Sequence, residues 1–96
     1  MRVLVCYDVR TSGESGVGRL RRVARVCVNH GQRVQKSVFE CVLTAAQLES
    51  MRAKLLAVLD PSEDNLRIYR VSERYGTSCE TYGLTPDIDF EGPLVV

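Results

Sequence analysis

The stretch Arg33-Val34-Gln35-Lys36-Ser37-Val38-Phe39-Glu40-Cys41-Val42-Leu43 decides the fold. Its valines and Phe39 give it strand propensity along its whole length. Eleven residues is long for one strand in a small domain, where about 5–6 is usual. The run is therefore read as two strands folded back near Lys36-Ser37, although no Asn-Gly or Asp-Gly marks the turn. That reading rests partly on the elements to either side.

Upstream, Val3-Leu4-Val5-Cys6-Tyr7 is apolar on both alternating faces, as expected of a central strand covered on both sides. Arg10 to Gly18 contains three glycines and two serines and reads as a loop. From Val17 the period changes: Val17, Leu20, Val23, Ala24, Cys27 and Val28 share one helical arc, with Arg19, Arg21, Arg22 and Arg25 outside it. His30-Gly31 ends that helix. Downstream, Thr44-Ala45-Ala46-Gln47 is a capping box opening a second helix with its apolar stripe at Leu48, Met51, Leu55, Val58 and Leu59. Asp60-Pro61 stops it. Leu66 to Val71 alternates as a strand, Ser72 to Glu91 is polar, and Leu94-Val95-Val96 reads as a short last strand.

The order predicts an α+β fold: a ferredoxin-like βαββαβ unit over residues 1–72, with an antiparallel sheet and both helices on one face. Residues 73–96 form a tail with an extra C-terminal strand. Two helices cover only one face of a sheet, yet Val3, Val5 and Tyr7 alternate with the equally apolar Leu4 and Cys6. A second copy packing sheet on sheet would cover the other face, so a homodimer is expected. A chain of 96 residues also buries a modest share of its surface, which leaves room for a stabilising partner.

Composition narrows the function classes. Cys6, Cys27, Cys41 and Cys79 are scattered with no Cys-x-x-Cys pair, and His30 is the only histidine, so no zinc site is indicated. Met1-Arg2 leads straight into a strand-like run, and no apolar stretch approaches the roughly 20 residues of a membrane span; the expectation is a soluble, cytoplasmic protein with no membrane partner. The net charge is only +1, but residues 1–43 hold eight Lys/Arg and three Asp/Glu, and residues 44–96 hold five and nine. One basic and one acidic surface follow, and a local basic surface is what meets phosphates.

Asp8 ends the first strand on the face of Leu4 and Cys6. An isolated carboxylate there is costly unless it caps a turn, accepts backbone hydrogen bonds or binds a cation. A capping aspartate is common at such junctions. In a two-fold dimer, however, two facing Asp8 carboxylates repel unless they share a proton or a hard cation such as Mg²⁺. Such an ion could polarise a phosphodiester and activate water.

Arg19, Arg22 and Arg25, with Arg21 beside them, place charge of one sign on the face expected to meet solvent. They are either a solvated surface or a phosphate-binding stripe, and Arg33 and Lys36 continue the basic character. Phe39, Tyr7 and Tyr69 read as packing residues, with base stacking the alternative for Phe39. Ser12 and Ser15 lack a positioned base, and Gly13, Gly16 and Gly18 lack the Gly-Lys-Ser/Thr ending of a phosphate loop.

Tyr7-Asp8-Val9, the Arg22-Val23-Ala24 helix segment, Gly31-x-Arg33-Val34-Gln35-x-Ser37-Val38-Phe39-Glu40-Cys41 and Asp64-Asn65-Leu66-Arg67-Ile68-Tyr69 together resemble the CRISPR-associated Cas2 family over nearly the whole chain. The resemblance implies a ferredoxin-like homodimer that works with the CRISPR integrase in spacer acquisition. It implies a Mg²⁺-dependent endonuclease on RNA or DNA, with Asp8 as the catalytic and metal-binding residue. Arg33 and Phe39 match residues tied to activity, and among the helix arginines Arg22, before Val23-Ala24, aligns best, ahead of Arg19. The segment Asp89 to Val96 looks like a strand that crosses to the partner subunit's sheet. Two functions follow: a phosphodiesterase using paired Asp8 carboxylates, or an adaptor that bridges integrase subunits and holds duplex DNA on its arginines. From topology alone a third class, a regulatory domain binding a small metabolite, fits the same fold.

Overall fold

The computed structural model describes residues 1–84 and gives the element order β1 (Arg2–Asp8), α1 (Glu14–Val28), β2 (Gln32–Gln35), β3 (Val38–Val42), α2 (Ala45–Val58), β4 (Asn65–Ser72) and β5 (Gly76–Gly83). The strands form one antiparallel sheet in the order β2-β3-β1-β4-β5. The first four elements of the sheet follow the expected split βαβ topology, with β1 at the centre between β3 and β4. The last expected strand, Leu94 to Val96, lies outside the described residues.

The long apolar run does fold back at Lys36-Ser37. Its β2 half is exposed at every position, whereas β3 buries Val38, Phe39 and Cys41. A register shift between Arg33 and Gln35 absorbs the irregular turn.

One sheet face carries the core. Val3, Val5 and Tyr7 of β1, Phe39 and Cys41 of β3, and Leu66 and Ile68 of β4 meet Val23 and Cys27 of α1 and Leu48, Met51 and Leu55 of α2. The capping box that opens α2 is complete: the Gln47 amide donates to Thr44 Oγ1 at 3.2 Å and the Thr44 amide donates to Gln47 Oε1 at 2.8 Å. Strand alternation puts Leu4, Cys6, Tyr69 and Val71 on the opposite face, where Val42 is exposed.

Two features differ from the sequence expectation. Helix α1 begins at Glu14, a turn before the Val17 start, and its inward line runs through Gly16, Val23 and Cys27. At 100° per residue, Val17 and Val28 lie about 100° or more from that line and Arg19 only about 60°. Val17 and Val28 are accordingly exposed, and Arg19 is buried. Strand β5, inside the stretch read as polar tail, pairs with β4 from Asn65↔Gly83 to Ser72↔Gly76. It has no apolar alternation because most of its side chains face solvent; Glu80 and Tyr82 are the half-buried ones. Glu80 anchors it to the helix layer, accepting from Arg52 Nε at 2.8 Å and Nη2 at 2.9 Å. No helix among the described residues is long and apolar enough to cross a membrane.

Candidate metal and nucleic-acid site

Asp8 is the last residue of β1, opposite Asn65 in the β1–β4 ladder, and its side chain is exposed. It lies on the sheet face away from the helices, in line with Leu4 and Cys6, as the alternation predicts. Among the described residues no group of three or more His, Cys, Asp or Glu side chains gathers to hold a metal ion. Among the described residues, then, Asp8 belongs to no such group.

The chain just after Asp8 is held tightly. Asp64, on the loop before β4, is 1% exposed and receives four hydrogen bonds. Its Oδ1 accepts from the Arg10 amide at 3.1 Å and from Arg19 Nη2 at 3.3 Å. Its Oδ2 accepts from Arg19 Nε and from the Asp60 amide, each at 2.9 Å. Burial alone would raise the Asp64 pKa, but the Arg19 guanidinium and the two amides outweigh it and hold the carboxyl below the ordinary aspartate range. Arg19 also reaches the Arg10 carbonyl and Ser15 Oγ, each at 3.4 Å. Gly16 lets α1 approach this loop, because a Cβ there would collide with the Arg10 carbonyl oxygen.

This corrects the placement of Arg19. It is not one of four unpartnered solvent-facing arginines; it is turned inward and pairs with Asp64, with Glu63 at 3.6 Å. Arg21, Arg22 and Arg25 are exposed, and among the described residues they make no ion pair. The signal for Arg19 lay in the sequence, between Gly16 and Val23 on the inward line. The matching Asp64 sits in a polar loop and carried no sequence signal of burial.

Arg33, Phe39 and Tyr7 form a stack. The Arg33 guanidinium lies 5.1 Å from the Phe39 ring centroid, and the Phe39 and Tyr7 rings are 6.2 Å apart at 21°. Phe39 is fully buried and Tyr7 nearly so, so both rings act as packing and the exposed Arg33 is the group that meets solvent. Burial pushes the Tyr7 hydroxyl pKa up, while a hydrogen bond from Arg33 acts in the opposite direction. The stack thus joins the basic edge strand to the residue that precedes Asp8.

The sequence matches the family model for CRISPR associated protein Cas2 over residues 1–78. The chain belongs to the Cas2 family. It is 50% identical to the CRISPR-associated endonuclease Cas2 of Halalkalibacterium halodurans over 95 residues, covering 99% of each chain. It is 49% identical to the CRISPR-associated endoribonuclease Cas2 1 of Moorella thermoacetica over 96 residues, covering 100% of each. The crystal structure of Streptococcus pyogenes Cas2 at pH 6.5 superposes with a TM-score of 0.70 at 44% identity, covering 78% of this chain and 90% of that one. The Cas2 fold expected from Tyr7-Asp8-Val9 and the Gly31–Cys41 run is therefore the fold of this chain.

Proposed function

We propose that this Cas2 family member is a CRISPR nuclease of spacer acquisition that cleaves phosphodiester bonds with the Asp8 carboxylates of two copies sharing a Mg²⁺ ion. The observation that carries the reading is the exposed Asp8 carboxylate at a strand end, on the sheet face that the helices leave open. The names of the relatives, endonuclease and endoribonuclease, support the reaction class.

A hard, ionised oxygen donor suits Mg²⁺, which keeps several waters and takes one or two carboxylates. Among the described residues no acidic cluster gathers around Asp8, and the reading uses the sheet-on-sheet homodimer, whose two-fold axis would bring the two Asp8 residues together. When bound, the ion supplies Lewis-acid polarisation of the phosphate and a more acidic water. The chain's own contribution is positional: β1 carries Asp8 to the strand end, and the arginines hold the nucleic acid. Arg22, Arg25 and Arg33 are exposed and suited to phosphates, whereas the internal pairing of Arg19 gives it an indirect role.

A second reading is favoured by the exposed Arg21, Arg22 and Arg25, which make no ion pair among the described residues and need no metal to bind a duplex. In it the dimer is an adaptor that bridges the CRISPR integrase and holds protospacer DNA. The two readings separate on incubating wild type and Asp8→Ala with labelled RNA and duplex DNA, in Mg²⁺ or EDTA. Cleavage that needs both Mg²⁺ and Asp8 supports the nuclease; no cleavage, or cleavage that survives Asp8→Ala, leaves the adaptor.

A further inference from the structure

We infer that Asp64 is a positioning residue for Asp8, acting through Arg19 as a clamp on the peptide units that flank Arg10. The inference rests on the reading of Asp8 as the reactive carboxylate. Arg10 lies two residues beyond Asp8, and its main chain is held on both sides: its amide donates to Asp64 Oδ1 at 3.1 Å, and its carbonyl accepts from Arg19 Nη2 at 3.4 Å. Asp64 and Arg19 are in turn fixed to one another by a two-pronged ion pair, Nε to Oδ2 at 2.9 Å and Nη2 to Oδ1 at 3.3 Å. A carboxylate that is 1% exposed, and whose four bonds reach the β1–α1 loop, α1 and the α2–β4 loop, costs desolvation that a surface capping residue would not.

The fold has set other features around this clamp. The β1 ladder pairs Asp8 with Asn65, the first residue of β4, so the clamp residue Asp64 immediately precedes the β4 partner of Asp8. The Asp64 carbonyl accepts from the Leu84 amide at 2.7 Å, and the Asn65 side-chain amide donates to the Leu84 carbonyl at 2.8 Å. Gly83 allows this approach: its φ of 84° is left-handed, and a Cβ there would strike the Asp64 carbonyl oxygen. Asp64 therefore ties the exit from β1 to the end of β5. A loop held on both faces of one residue fixes the direction of the strand end, which is what a metal site formed by single carboxylates from two chains demands.

The test uses Asp64→Asn, which keeps the shape and loses the charge, and Arg19→Lys, which keeps the charge and loses the fork. The protection of the Arg10 amide against hydrogen exchange is read by NMR beside Mg²⁺-dependent cleavage kinetics. The expected result in both variants is faster exchange at Arg10 with core amides such as Ile68 unchanged, and a kcat lower by about 10²-fold with KM for RNA unchanged. If Asp64→Asn does not fold, Arg19→Lys decides. Arg10 protection equal to wild type, or freed Arg10 with wild-type kcat, overturns the proposal. If wild type itself cleaves nothing, the nuclease reading fails, and the Arg10 exchange alone decides the clamp.

Discussion

The guanidinium of Arg33 lies 5.1 Å above a Phe39 ring that is itself fully buried. The same residue pair therefore divides into a solvent-facing cation and a core aromatic. Phe39→Ala is expected to destabilise the fold by about 3–5 kcal/mol, as large aromatic truncations in cores do. Arg33→Ala removes an exposed cation–π contact worth about 0.5–1 kcal/mol. Thermal unfolding of the two variants checks the contrast, and equal losses would show that the stack is not arranged as described.

The arginines of α1 carry the binding prediction. Arg22→Ala with Arg25→Ala removes two exposed cations without touching the core. Duplex DNA affinity is expected to fall, and the slope of log K against log salt to shrink by about 2. Fluorescence anisotropy across a salt series measures this. Arg19→Ala, by contrast, should lower the melting temperature as well, because it leaves the Asp64 carboxylate buried without its cation.

Stability towards acid follows from the same carboxylate. The folded pKa of Asp64 is depressed, so its contribution is present above its unfolded pKa, near 3.9, and is lost as pH falls through the lower folded value. Wild type should therefore lose stability progressively on acidification below about pH 4. Asp60 and Glu80 are also held low, Asp60 by hydrogen bonds from Ser62 and Glu80 chiefly by Arg52. Asp64→Asn removes its own share: chemical denaturation at neutral and acid pH should show a smaller acid loss than in wild type. An equal pH dependence in the two proteins would contradict the depressed pKa.

Strand β5 is attached by its ladder to β4 and by Glu80, to which Arg52, Arg70 and Tyr82 all turn. Glu80→Gln should free the β5 amides to exchange faster while β1 keeps its protection, since the helix-side anchor is lost and the core is not. Hydrogen exchange by mass spectrometry reads this directly. Uniform loss across the sheet would mean that β5 is part of the core unit.

The legible parts of this chain were those with a local signal or a constraint from their neighbours. Thr44 and Gln47 announce a helix start because the capping box is a local chemical arrangement, whereas the reversal in the Arg33–Leu43 run was read from its length together with the elements to either side. Strand β5 was not legible: Gly76 to Gly83 has no buried apolar face, and its place is set by a backbone ladder and a tertiary ion pair. Asp8 was legible as a candidate from its position at the end of an apolar strand. Arg19 and Asp64 were not legible as a pair, since a buried ion pair between residues 45 apart in sequence leaves no local pattern. Helical phase alone would have warned that Arg19 points inward.

The central claim is that two Asp8 carboxylates act together, and mixed dimers test it most directly. Wild type and tagged Asp8→Ala are co-expressed in equal amounts, and Mg²⁺-dependent cleavage is measured at fixed total protein. If the ion needs both carboxylates, only homodimers of wild type cut, and the activity falls to roughly one quarter of that of pure wild type. An activity near one half means that each Asp8 acts alone and contradicts the shared site.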